Sequence, residues 1–203
     1  MRVEILIFDG FDDLDGLAPL RVLRGAAAQG APFDVALVTL APADEVTASS
    51  GLRVRPDGVL GERVDVLVVP GGGWATRAPQ GAWAEYERGA IPDAIARLHG
   101  AGAVVATVCT GGMLAAKAGI TSGRPAITHH AAIEDLLASG AEVVSARVVD
   151  DGDLVSSGGV TSGIDLALWL IERFAGPEVA VRVESNLEYE RRGTVWRGER
   201  TRE

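Results

Sequence analysis

Cysteine is nearly absent: Cys109 is the only one in 203 residues, so no disulfide can form within the chain and nothing calls for an oxidising compartment. Histidine is scarce as well. With three of them, and no His-Glu-x-x-His or Cys–His cluster, a metal site would have to rest on carboxylates, and neither a metal nor a cofactor is expected. Positive charge is in the minority, 19 Lys and Arg against 28 Asp and Glu, for a formal net charge of −9. Such a surface repels phosphate backbones and anionic lipid, which argues against nucleic acid and membrane and for a small-molecule substrate. Uncharged apolar runs stop well short of the roughly 20 residues that span a bilayer. The opening "MRVEILIFDG" lacks the length and the small-residue cleavage site of an export signal, so a cytoplasmic location is expected. Repeats, linkers and low-complexity tracts are also missing, and a single domain over residues 1–203 is the expectation, with 47% hydrophobic content to fill its core.

What is present is a rhythm of short apolar runs: residues 3–8, 33–40, 64–70 and 103–108 read as buried strands separated by longer helix-compatible stretches. The stretches 17–30, 92–102 and 113–120 are rich in Ala and Leu, as helices returning to a parallel sheet commonly are. An open α/β sandwich follows. Residues 46–58, with Ser-Ser-Gly between two alternating pieces, and 146–159, with Asp-Gly between two more, read as hairpins. "TSGIDLALWLIERFAG" (161–176) has the clearest helical spacing, with Thr161 or Ser162 as its cap and Gly176 closing it. A further helix is expected after Pro177, and the charged tail 191–203 is expected to be loosely held.

Cys109 ends one of the strand-like runs and is followed by Thr110-Gly111-Gly112 and a helix-like stretch. A strand-to-helix corner projects its side chain above the carboxyl edge of the sheet, where open α/β folds place ligands, and a helix N-terminus favours a thiolate. A lone cysteine is more often a small core side chain, but this position favours a nucleophile. "VVPGGGW" (68–74) ends another run in three glycines, whose unobstructed N–H groups either form an oxyanion hole or simply turn the chain. No Gly-Lys-Ser/Thr follows it and no dinucleotide fingerprint follows the first strand, so nucleotide binding is not expected. Asp12, Asp13 and Asp15 follow the first strand, where capping alone explains them, with Pro19 placed in the first turn of the ensuing helix. His129 and His130 stand at a strand-to-helix junction, either near the Cys or as a helix start.

With "LDGLAP", "VVPGGG", "TVCTGGMLAAKAGI", "RPAITHH" and "SSGGVTSGIDLALWLIERFAG" in this order, the sequence resembles the ThiJ/PfpI superfamily along nearly its whole length, and within it the isonitrile hydratases. The resemblance implies a flavodoxin-like three-layer α/β sandwich with a mostly parallel sheet, usually a homodimer. It implies a nucleophile elbow carrying Cys109, with Asp15 as its carboxylate partner and an oxyanion pocket made by the amides of Gly71, Gly72 and Thr110. Trp74 and His129 are the candidate substrate contacts. The activity implied is hydration of an isonitrile to an N-substituted formamide through a Cys109 thioimidate. Other members of the superfamily suggest an oxidant sensor, a glyoxalase-like enzyme or a non-catalytic binding dimer instead. The chain has Ala18 where the hydratase pattern usually has Gly and His130 where it has Trp, and Asp15 where glyoxal-acting relatives carry Glu. No histidine follows His130, which excludes the His-x-Glu pair of the class I glutamine amidotransferases.

Overall fold

The computed structural model describes residues 1–198. Strand β1 (Arg2–Leu6) leads into helix α1 (Asp13–Ala28) and strand β2 (Asp34–Thr39), followed by a hairpin of β3 (Val46–Thr47) and β4 (Arg53–Val54). Next come β5 (Gly58–Val59), β6 (Val66–Val69), α2 (Ala82–Arg88), α3 (Ala90–Gly100) and β7 (Val104–Val108). Helix α4 (Gly111–Lys117), β8 (Pro125–Ala126), α5 (Ile133–Ala138) and β9 (Glu142–Val143) lead to a second hairpin, β10 (Val148–Asp150) and β11 (Leu154–Ser157). The last described elements are α6 (Ser162–Ala175), α7 (Pro177–Leu187) and β12 (Trp196–Arg197).

Eight strands form one sheet in the order β12-β10-β11-β7-β6-β1-β2-β5, and β10–β11 is its one antiparallel pair. Helices α1, α6 and α7 pack together as one layer and α2, α3 and α4 as the other, so the expected three-layer sandwich is the observed fold. The central strands are covered on both sides, which explains why, once past Arg2, β1, β6 and β7 read as largely apolar runs interrupted only by Glu4 and Thr107: Ile5, Leu6, Leu67, Val68, Val105 and Ala106 are fully buried. Register decides what happens at the sheet edge. Val69 pairs with Thr107, and Val108 pairs with Ser157, so the residues after β6, β7 and β11 emerge side by side.

Both expected hairpins form. Three local readings are corrected. Helix α1 starts at Asp13, because the Asp12 side chain accepts a hydrogen bond from the Leu14 amide at 3.1 Å and caps it early. Pro19 therefore lies inside the helix rather than in its first turn. Thr161 occupies the N-cap position of α6 without a side-chain cap bond; its hydroxyl oxygen accepts from Arg147 Nη2 at 2.9 Å instead. The tail is held through residue 198: Arg191 pairs with Glu172 and Glu184, the Arg192 amide donates to Asp165 at 3.0 Å, and β12 adds to the sheet beside β10. Residues 199–203 of that expected tail lie outside the described residues.

Candidate active site

Four parallel strands deliver their carboxyl ends to one place. Asp15 comes from α1 after β1, Gly71 and Gly72 follow β6, Cys109 follows β7, and residues 158–160 follow β11. Open α/β sheets bind ligands at this edge because the loops there converge while the strands behind them are fixed.

Cys109 is the corner itself. Its φ of 56° lies in the left-handed region, a conformation that costs a non-glycine residue on the order of 1–3 kcal/mol and persists only when its surroundings enforce it. Here they do so from three sides. The Cys109 amide is shared between the carbonyls of Ser157 (3.2 Å) and Gly158 (2.9 Å), and the Thr128 hydroxyl donates to the Cys109 carbonyl at 2.8 Å. Glycine is required next door, since a Cβ on Gly111 would collide with the Val69 carbonyl oxygen and lie 2.9 Å from that of Pro70. A Cβ on Gly71 would sit 2.5 Å from the Thr110 nitrogen. The small residues thus let the β6 loop and the elbow cross backbone to backbone.

Asp15 is fully buried; its Oδ2 accepts from the Gly71 amide at 3.0 Å. Its Oδ1 has no well-aligned hydrogen-bond partner among the described residues, yet the Cys109 thiol is close enough to perturb its titration. The two groups are adjacent without being locked. Burial, reinforced by the nearby Asp12 charge, pushes the Asp15 carboxyl from 3.8 up to about 8, against the opposing pull of the Gly71 amide and the thiol. Burial and the Asp15 charge raise the Cys109 thiol to about 12, while the amides of Val160 and Thr110, which face the sulfur, act to lower it. The pair consequently keeps both protons below about 8 and one of them up to about 12.

The three amides expected to make an oxyanion pocket divide between tasks. Gly71 holds Asp15, Gly72 donates to Thr110 Oγ1 at 2.9 Å, and only that of Thr110 faces the sulfur. The second donor there is Val160, which the sequence did not suggest. Val160 has φ 39°, rare for a β-branched residue, and this bend aims its N–H inward. The only advance signal is its place just after Gly158-Gly159, at the end of a strand that neighbours the one ending at Cys109.

His129 lies at the rim: a Cβ on Gly159 would meet its ring Cδ2, so ring and glycine are in contact. Its Nδ1 accepts from the Ala131 amide at 3.1 Å, which puts the proton of the neutral ring on Nε2. Burial and the neighbouring His130 lower its pKa, with Asp12 opposing, so it is neutral at pH 7. Trp74 goes elsewhere. Its ring packs edge-on against Trp83 and Tyr86, and its Nε1 donates to Asp135 Oδ2 at 2.6 Å. Among the described residues no group of three or more His, Cys, Asp or Glu could hold a metal, and no helix is long and apolar enough to cross a membrane.

A strained cysteine at the carboxyl edge of the sheet, faced by an acid from the segment after β1, is the arrangement that the resemblance implies. Residues 1–173 match the DJ-1/PfpI family. The chain belongs to the DJ-1/PfpI family. It is 34% identical over 191 residues to an isonitrile hydratase of Pseudomonas putida, covering 93% of this chain and 78% of that protein. It is also 31% identical to a deglycase of Thermococcus kodakarensis, over 77% of this chain and 89% of the relative. Among solved structures, Drosophila melanogaster DJ-1beta superposes with a TM-score of 0.80 at 24% identity, covering 94% of this chain and 98% of that one, which speaks to the fold. DJ-1/PfpI membership agrees with the mostly parallel sheet flanked by helices. The activity has to be argued from the pair of acids.

Proposed function

We propose that this protein is a cysteine-dependent hydratase of the isonitrile hydratase type, converting R–N≡C and water into R–NH–CHO. The observation that carries the reading is a buried carboxyl that remains protonated near neutral pH, facing a thiol whose sulfur is met by two backbone amides. The similarity to the Pseudomonas putida enzyme supports it.

In the singly ionised pair one proton is shared between Asp15 and Cys109. Since Oδ2 accepts from Gly71, that proton sits on Oδ1 or on sulfur. With the carboxyl protonated, the thiolate is held by the Thr110 and Val160 amides and attacks the terminal isonitrile carbon. Asp15 delivers its proton to that carbon, and the product is the thioimidate R–N=CH–S–Cys109. The ionised Asp15 then takes a proton from water as the hydroxyl adds to the same carbon. In the resulting adduct the hydroxyl proton passes to nitrogen, the carbonyl forms and the C–S bond breaks, releasing the formamide and the Cys109 thiolate. One water is consumed and the pair returns to its starting charge.

Access supports a slender substrate. Cys109 is only 6% exposed, so sulfur meets the end of a rod-like group more easily than the carbonyl of a bulky glycated chain. The same shielding argues against a peroxide sensor, whose cysteine must lie open to the oxidant. The test is to incubate the protein with a panel of alkyl isocyanides and follow the N-substituted formamide by NMR. Turnover is expected in the wild type and absent in Cys109→Ala. Formamide production that survives Cys109→Ala would remove the nucleophile; none from the wild type with any isocyanide would remove the hydratase.

A further inference from the structure

Beside the elbow, between α2, α4 and α5, lies a cavity of about 310 Å³ whose walls include Trp74, Trp83, Tyr86, Met113 and Asp135; Cys109 is not part of it. Trp83 and Tyr86 stand nearly parallel one helical turn apart on α2, their rings 5.9 Å apart and 9° from coplanar. Trp74 meets both at close to a right angle, at 5.1 and 5.2 Å. Asp135 closes the corner, its Oδ2 accepting from Trp74 Nε1. Faces of electron-rich rings set around a carboxylate form a receptor for an organic cation, because the ring quadrupole and the anion attract the same charge.

The chain already supplies two such cations: Lys117 Nζ stands 4.6 Å from the Tyr86 ring centre, and Arg77 fills the corner beside Asp135. The Arg77 guanidinium carbon lies 3.8 Å from the Trp83 ring centre and 5.1 Å from that of Trp74, and Nη2 reaches Asp135 Oδ2 at 3.2 Å. Exposure marks Arg77 as an exchangeable occupant: its side chain remains 45% exposed, with Asp135 at 41%. The cavity beside it is left open, with the size of a small-ligand site. A net charge of −9 draws cations toward it.

We propose that the box of Trp74, Trp83, Tyr86 and Asp135 binds a small organic cation, of the guanidinium or alkylammonium class, in place of the Arg77 guanidinium. The claim is independent of the hydratase chemistry and is tested by binding alone. Methylguanidinium is titrated into the wild type and into Arg77→Ala at constant ionic strength, followed by tryptophan fluorescence and calorimetry, with N-methylurea as the uncharged counterpart. Arg77→Ala is expected to bind methylguanidinium at least tenfold more tightly than the wild type and to ignore N-methylurea. Adding Asp135→Asn to Arg77→Ala is expected to abolish the gain. Equal affinity in wild type and Arg77→Ala, equal binding of N-methylurea, or no saturable binding in an Arg77→Ala protein with an unchanged thermal transition would each overturn the proposal. Arg77→Met, which keeps the apolar stem without the guanidinium, repeats the reading if Arg77→Ala loses that transition.

Discussion

At the scale of single residues the site is an argument between Asp15 and Cys109 over protons. Asp15 raises the proton affinity of Cys109 while the thiol lowers that of Asp15, so removing the carboxyl charge separates chemistry from stability. Asp15→Asn keeps the shape and can still accept from Gly71. Cys109 should then titrate below its present value of about 12, because the carboxylate repulsion is gone. Turnover of an isocyanide should nevertheless fall by about 100-fold or more, the range in which a general acid contributes. A thiol that titrates lower together with undiminished turnover would show that Asp15 is not the proton donor. Val160 offers a second test. Val160→Gly relieves a left-handed φ, worth about 1–3 kcal/mol and partly offset by the greater chain entropy of glycine. Stability measured by urea denaturation should hold or rise, while kcat drops about tenfold with KM little changed, as the second amide loses its fixed aim. Of this site, Cys109 was legible because cysteine at a strand end carries chemical identity, whereas Asp15 stood out from Asp12 and Asp13 only through the family resemblance, since any of the three acids could cap the helix. Val160 and the division of labour among the Gly71, Gly72 and Thr110 amides were not, since an amide donor has no residue type and its partner is settled only by the crossing of loops.

Among elements, continuous apolar runs gave away the buried strands, and the 3.6-residue spacing gave away α6. Elements made by pairing rather than by burial stayed hidden: β5, β8, β9 and β12 are two residues each, and "AWAEYER" of α2 is too short to show a period. The tail was misread because its order comes from charge partners distant in sequence, chiefly Glu172, Glu184 and Asp165. Helix α6 is joined to β10 in a similar way. Trp169 Nε1 donates to the buried Asp150 Oδ2 at 2.7 Å, and Arg173 reaches both carboxyl oxygens at 3.1 Å. Trp169→Phe removes a hydrogen bond to a buried carboxylate and should cost about 1.5–3 kcal/mol in denaturant unfolding, with isocyanide turnover unaltered because the site lies at the other end of the sheet's logic, past β7. A loss below about 0.5 kcal/mol would mean that the remaining partners of Asp150, Arg173 and the Gly152 amide among them, hold it without the indole.

For the molecule as a whole, the buried acid leaves a signature in stability against pH. Folding raises the Asp15 carboxyl from 3.8 to about 8, so the folded state keeps a proton that the unfolded chain releases. This contribution is fully present below 3.8 and is lost as pH rises toward about 8, amounting to about 4 kcal/mol by pH 7. Comparing wild type with Asp15→Asn by urea denaturation at pH 4 and pH 7 isolates it: the variant should gain about 1–4 kcal/mol at pH 7 and almost nothing at pH 4. An equal gain at both would assign the effect to packing. The shared carbonyl grip on the Cys109 amide reaches further still, because Ser157 and Gly158 are made some fifty residues after the cysteine they position. A nascent chain that has left the ribosome only as far as β10 owns the thiol but no pocket, and its sulfur is one ordinary side chain in an unfinished sheet. The surroundings of the sulfur are thus completed only when β11 and the turn after it have been made, well after the thiol itself.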